Sequence, residues 1–163
     1  MKLLRSLAIL VIVLAAFPAA GIDRVTATVE LAAARAKWSS SQVTSYEVRF
    51  QDKSCWCLFG PYYGPIRNLV RSGRLKGSYY ERERRDGYSF GRKVRIETPL
   101  RATVEDAFAR VERLIASAPE GSFEVKYDAV YGYPTDIAFD DPKLDDEQWH
   151  MVADGFKPLP QGR

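Results

Sequence analysis

The chain has 163 residues, of which 46% are hydrophobic and 28% charged, with a formal net charge of +3. These proportions exclude a disordered chain and a membrane bundle, and they fit one globular domain that needs no disulfide staples.

The first twenty residues stand apart from that domain. Lys2 and Arg5 precede an apolar run from Leu7 to Phe17, followed by Pro18 and the small residues Ala19, Ala20 and Gly21. That order is a secretory signal peptide, with cleavage expected near Ala20 or Gly21. The run falls short of the roughly 20 apolar residues that a membrane span needs. No cysteine near the cleavage region could accept a lipid. The mature protein is therefore expected outside the cytoplasm, periplasmic or secreted, and to meet a membrane only during export. Without Lys2 and Arg5 the formal charge drops from +3 to +1, and that balance offers no basis for nucleic-acid binding. What charge remains is unevenly placed: Arg71 to Arg95 is basic and Asp136 to Asp154 acidic. We read these stretches chiefly as solvated loops.

A helix is predicted over 27–40, where Ala27, Leu31, Ala34 and Trp38 recur at helical spacing. Tyr46, Val48 and Phe50 alternate with polar residues and predict a strand with one buried face. Further strands are predicted over 66–71, entered through Gly64-Pro65, and over 74–80, with Ser72-Gly73 as the tight turn between them. The stretch 81–95 is charged and carries the turn signal Asp86-Gly87, so it reads as an exposed hairpin or loop inserted in the domain. The clearest helix starts at Thr103, with Asp106 completing a short-armed capping box. Its apolar stripe runs through Val104, Ala107, Phe108, Val111, Leu114, Ile115 and Ala118, and Pro119 stops it. Phe123, Val125 and Tyr127 then mark a strand, Ile137 and Phe139 another, and Trp149 to Val152 the last. The domain is expected over 27–158, with 159–163 a flexible tail.

The predicted fold is α+β, with two helices on one face of an antiparallel sheet. Ser45 to Phe50 and Ser122 to Tyr127 are alike, and the same offset lays the first helix on the second. This suggests a tandem αβββ duplication, a layout that resembles β-lactamase-inhibitor-like and PepSY-like exported modules.

Candidate chemistry is sparse. Cys55 and Cys57 are the only cysteines, two residues apart in a chain expected to meet an oxidising compartment. In an extended strand their Cα atoms would lie about 6.6–6.8 Å apart, at the edge of disulfide reach. A bond there would be strained and easily reduced, which opens a thiol-redox or copper-handling role; the plainer reading is a local clip. Gly87-Tyr88-Ser89-Phe90-Gly91 matches the pattern of a nucleophile elbow, but its flanks lack the strand-to-helix turn which that device requires. His150 is the only histidine, too few for a zinc site. Asp140, Asp141, Asp145, Asp146 and Glu147 are weak calcium candidates without the spacing of a calcium loop. No metal or other cofactor is expected. Trp56, Phe59, Tyr62, Tyr63, Tyr131 and Tyr133 form a candidate aromatic binding patch, with core and turn packing as the alternative for them.

Several pieces together resemble the bacterial domain-of-unknown-function family DUF6174. They are Cys55-x-Cys57 after Ser45-Tyr46, Pro65-Ile66-Arg67, the helix from Thr103, Tyr127-Asp128 with Tyr131-Gly132-Tyr133-Pro134-Thr135, and Asp145-Asp146-Glu147. The resemblance covers roughly residues 30 to 157 and implies an exported or lipid-anchored protein, but it transfers no catalytic residue. The function expected is a non-catalytic module that binds a protein, peptide or envelope component, with redox or copper chemistry at Cys55 and Cys57 as the alternative.

Overall fold

The computed structural model describes residues 23–53, 65–84, 87–94, 98–141, 143 and 148–160. Its elements in chain order are α1 (Arg24–Ser40), β1 (Tyr46–Asp52), β2 (Ile66–Arg71), β3 (Arg74–Arg84), β4 (Gly87–Lys93), α2 (Val104–Ser117), β5 (Phe123–Tyr127), β6 (Pro134–Phe139) and β7 (Trp149–Pro158). The strands form one seven-stranded sheet in the order β4-β3-β2-β1-β7-β6-β5. Every neighbouring pair is antiparallel. The fold is α+β, as the apolar periodicities predict.

The chain starts the sheet at its middle and meanders outward to the β4 edge. It then crosses through α2 to the opposite edge and meanders back until β7 closes against β1. Both helices pack on one face and run antiparallel to each other. Arg24 at the start of α1 donates to the Ala118 carbonyl beyond the end of α2 (2.7 Å), and Trp38 near the end of α1 donates to Glu105 at the start of α2 (2.8 Å). Beneath them lies the core, with Tyr46, Val48, Phe50, Phe108, Val111 and Ile137 among its buried side chains.

The expected tandem duplication does not organise this sheet. Between the two halves the strand order is kept, since β3-β2-β1 is answered by β7-β6-β5, and both helices cover the same face. Yet β1 and β5 lie three antiparallel steps apart and so point in opposite directions. Only a reflection keeps order and face while reversing direction, and a chain of L-residues has no reflected copy. The similar stretches at Ser45 and Ser122 are two amphipathic strands that obey the same alternation. The likeness to β-lactamase-inhibitor-like and PepSY-like modules rested on that layout and gains no support from it.

Three boundaries differ from expectation. Helix α1 begins three residues earlier, because the Asp23 carboxylate accepts from the Thr26 amide (2.9 Å) and caps it. The strand expected over 74–80 continues to Arg84 and pairs with β4, so the charged stretch takes the hairpin form of the hairpin or loop expected there. Strand β7 runs on to Pro158 through a bulge at Gly155, whose φ of +57° suits glycine. The bulge changes the phase of the strand, so that Phe156 joins Met151 and Ala153 on the helix side. The Leu159 amide donates to the Ser45 carbonyl (2.8 Å), and the Pro160 carbonyl accepts from Arg71 (3.1 Å).

Candidate functional site

A cavity of about 460 Å³ opens where the end of β1, the start of β7 and the second half of α2 meet the segment leading into α2. Its size lies within the range of small-ligand sites. The apolar wall comes from Pro99, Leu100, Leu114, Trp149 and Met151, while Arg110, Arg113, Asp52 and His150 supply polar groups.

A buried polar bracket fixes the Leu100 side of this wall. Asn68 sits on the helix-facing side of β2, fully buried between Ile66 and Val70. Its amide donates to the Leu100 carbonyl (2.8 Å), and its side-chain oxygen accepts from the Ser78 hydroxyl (2.6 Å). Thr98 holds the same turn from within by accepting from the Leu100 amide (3.3 Å). The turn then delivers the chain to the α2 capping box, where the Tyr46 hydroxyl, deep in the core, accepts from the Val104 amide (2.9 Å). Burial pushes the Tyr46 phenol well above its ordinary range.

Arg110 is the unusual group. The helix stripe places Val111 and Leu114 in the core and leaves Arg110 and Arg113 on the cavity side. The Arg110 guanidinium lies 5.1 Å from the centre of the Trp149 ring and donates to the Met151 sulfur (3.3 Å), a weak acceptor. Among the described residues it has no ion pair with a carboxylate. Burial, and next the charge of Arg113, lower its pKa, against smaller opposing effects of Asp52 and Asp106. His150 adjoins this end of the sheet, where its Nε2 lies 2.8 Å from an Asp136 oxygen.

The sheet face away from the helices offers polar groups of another kind. Arg49 binds the Asp154 carboxylate through two nitrogens and Glu81 at 3.1 Å, while Arg67 grips Glu81 through Nε at 2.9 Å. Glu81 has a side chain only 2% exposed, yet it is met by two guanidiniums. This network is paired from within and ties β1, β2, β3 and β7 together, so it reads as structure.

Residues 30–158 match the pattern of the family of unknown function DUF6174. The chain belongs to that family. No curated protein and no solved structure matches it.

In this DUF6174 chain the Tyr-Gly-Tyr-Pro-Thr run serves packing. Asp128 accepts from the amides of Val130 (2.9 Å) and Tyr131 (2.6 Å) and closes the β5–β6 turn. Gly132, at φ +80°, lays its backbone against α1: a Cβ there would stand 2.5 Å from the Ala34 carbonyl oxygen. Lys37 fastens the same turn by donating to the Ala129 carbonyl (2.9 Å). Tyr133 is buried, with its ring 4.7 Å from Phe156, and Tyr131 packs half-buried at 5.0 Å from the same ring. Tyr133 thus belongs to the core, and Tyr131 packs against it, partly buried. Cys55, Cys57, Trp56, Phe59, Tyr62 and Tyr63 lie outside the described residues, as do Asp145, Asp146 and Glu147. Of the other calcium candidates, Asp140 is exposed and Asp141 accepts from the Lys143 amide in its own turn (3.0 Å). No metal-holding group forms among the described residues.

Ser89 sits within the edge strand β4, and no strand-to-helix bend presents it. Four strand positions separate β4 from β7, which carries His150, or about 19 Å at ordinary strand spacing. The two are not brought together. Arg110, Arg113 and Asn68 were missed by sequence reasoning. Arg110 and Arg113 look like any solvated helix face, and Asn68 interrupts an apolar alternation only once. That buried interruption was the one available signal.

Proposed function

We propose that this DUF6174 chain is a non-catalytic binding module, acting outside the cytoplasm after removal of its leader, with the cavity beside α2 as its ligand site. One observation carries the reading. A half-buried guanidinium lines an apolar-walled cavity with a sulfur atom and a ring face as its neighbours, and among the described residues no carboxylate forms an ion pair with it. Structural arginines in this same protein are paired: Arg49 and Arg67 each hold carboxylates, and Arg35 holds Glu112. An arginine left over in a cavity is available to a ligand.

The test fills the cavity. Native mass spectrometry of the purified protein after incubation with envelope extract should show a bound species that L114W lacks. Equal adducts on both proteins, or none on either, would refute the site. Because Leu114 is largely buried, L114M, which keeps the volume, serves as the control for folding.

The thiol-redox or copper reading rests on the sequence alone, through Cys55-x-Cys57. It requires a pair that exchanges with glutathione buffers or takes up Cu(I). A pair inert to both ends it.

A further inference from the structure

We infer that two copies of this protein associate through the outward face of α1, packed antiparallel about a two-fold axis at the middle of that helix. The inference is separate from the cavity, which no residue of α1 lines.

Helix α1 is apolar on both sides. Ala27, Leu31, Ala34 and Trp38 fill the core, while Val25, Val29, Ala32 and Ala36 form a second stripe on the opposite face. At 3.6 residues per turn those four lie within about 60° of one another. All are exposed, Val25 by 74% and Val29 by 63%. The third large hydrophobic side chain exposed among the described residues is Val130, at 71%, on the turn that Gly132 and Lys37 dock against the same helix. All three thus gather on α1 or against it. Neither the core nor local preference accounts for the two valines, because a β-branched residue favours a helix less than alanine does. A contiguous apolar patch of this kind marks a contact surface.

The pattern of the stripe selects a second copy as the occupant. Its spacing of four, three and four residues is that of a helix–helix seam. The two valines lie in its first half and the two alanines in its second. Turned end for end about a point between Glu30 and Leu31, the stripe sets Val25 against the partner's Ala36 and Val29 against the partner's Ala32. Each large side chain then meets a small one, the complementarity that close packing requires. A two-fold interface demands such self-matching, since each of its contacts occurs twice. Val130, fastened near Lys37, comes beside the first turn of the partner's α1 and widens the contact. Charge does not oppose the pairing. Thr26, Thr28, Ala33, Ser39 and Ser40 border the stripe, and the cations of α1 turn elsewhere: Arg24 to the Ala118 carbonyl, Arg35 to Glu112 and Lys37 to the Ala129 carbonyl. Glu30, the carboxylate of this helix, lies about 130° from the centre of the stripe. Antiparallel helices also set opposite dipole ends side by side. One helix pair is smaller than a standard interface, about 800 Å² per partner, so the association is weak and reversible.

Sedimentation velocity of the purified protein tests this between about 1 μM and 1 mM, the span of weak association. A monomer at the bottom of that range should convert to a dimer toward the top. V29E places an unpaired charge in the seam and should raise the dissociation constant roughly tenfold or more. Because Val29 is exposed, the urea midpoint of V29E should stay at that of the parent protein. V25K/V29K and A32E/A36E should each be monomeric alone. Mixed in equal amounts they should form a heterodimer, since each introduced lysine then faces an introduced glutamate. The inference is overturned if the protein stays monomeric across the range, if V29E leaves the dimer intact, or if the two charged variants do not pair. A monomer whose flotation with phosphatidylcholine vesicles is lost in V29E gives the stripe to a membrane and overturns it too. So does a monomer whose attached leader resists protease except in V29E, which gives the stripe to the chain's own first residues.

Discussion

Gly132 and Gly73 both adopt positive φ, at +80° and +71°, but only Gly132 is pressed against another element. A Cβ at Gly73 would meet nothing within 4 Å, whereas one at Gly132 would meet a helix backbone that has no room to retreat. The left-handed conformation alone costs a non-glycine residue about 1–2 kcal/mol, so G73A should lose about that much. G132A must bear the same strain and also push the β5–β6 turn off α1, and it should lose at least about 2 kcal/mol more. Urea denaturation with an unchanged m-value checks both, and equal losses would show that the close approach carries no energy. The Tyr-Gly-Tyr-Pro-Thr run was legible in the sequence as a turn. That the turn docks on a helix nearly a hundred residues earlier was not, because no local pattern records what a backbone touches. Asn68 teaches the same lesson in the opposite sense. Its polarity within a buried alternation is the kind of signal that calls for a partner, but it was not read, and the Leu100 carbonyl can be named only from the fold.

The elements themselves were largely readable, since apolar period and capping chemistry act within a few residues. Helix α2 is the clearest case: Thr103 accepts from the Asp106 amide (3.1 Å), while Asp106 accepts from the Thr103 amide (2.8 Å). T103A and D106A should each cost about 1 kcal/mol of stability in urea melts. The two residues satisfy each other's groups, so the double variant should cost less than the two losses added, by about 0.5 kcal/mol or more. Strict additivity would mean that the box is geometry without coupling. Because α2 also carries Arg110 and Arg113, fraying of its first turn should weaken ligand binding less than R110Q does; Arg110 lies beyond that turn. The charged hairpin β3–β4 was harder to place. Its residues favour solvent, and only pairing with β2, supplied from elsewhere in the chain, makes them strand.

At the scale of the whole molecule, the closure of β7 on β1 brings the last strand beside the first, and with it the cavity. Asp52, Leu100, Arg110 and Trp149 come from four separate parts of the chain, which is why no motif foretold the site. The same closure gathers Trp38, Tyr46, Tyr133 and Phe156 into one aromatic cluster across both halves of the sheet. Buried phenols in and near that cluster make stability fall at high pH. Burial raises the Tyr133 phenol to about 12 and that of Tyr127, under α1, also to about 12, and it raises Tyr46 further still. In the unfolded chain the same groups ionise near 10. The folded state thus holds their protons more tightly, so their contribution is fully present below pH 10 and is lost as pH rises through about 12. Urea midpoints should accordingly fall steeply between pH 10 and 12. In absorbance titration at 295 nm these three phenols should ionise only as the far-ultraviolet signal of the fold disappears. Y133F isolates the core phenols from the protein's other charges: it keeps the ring and removes one ionising group. Its midpoint should fall less steeply over that window than that of the parent protein, and parallel curves would assign the alkaline loss to charges outside the core.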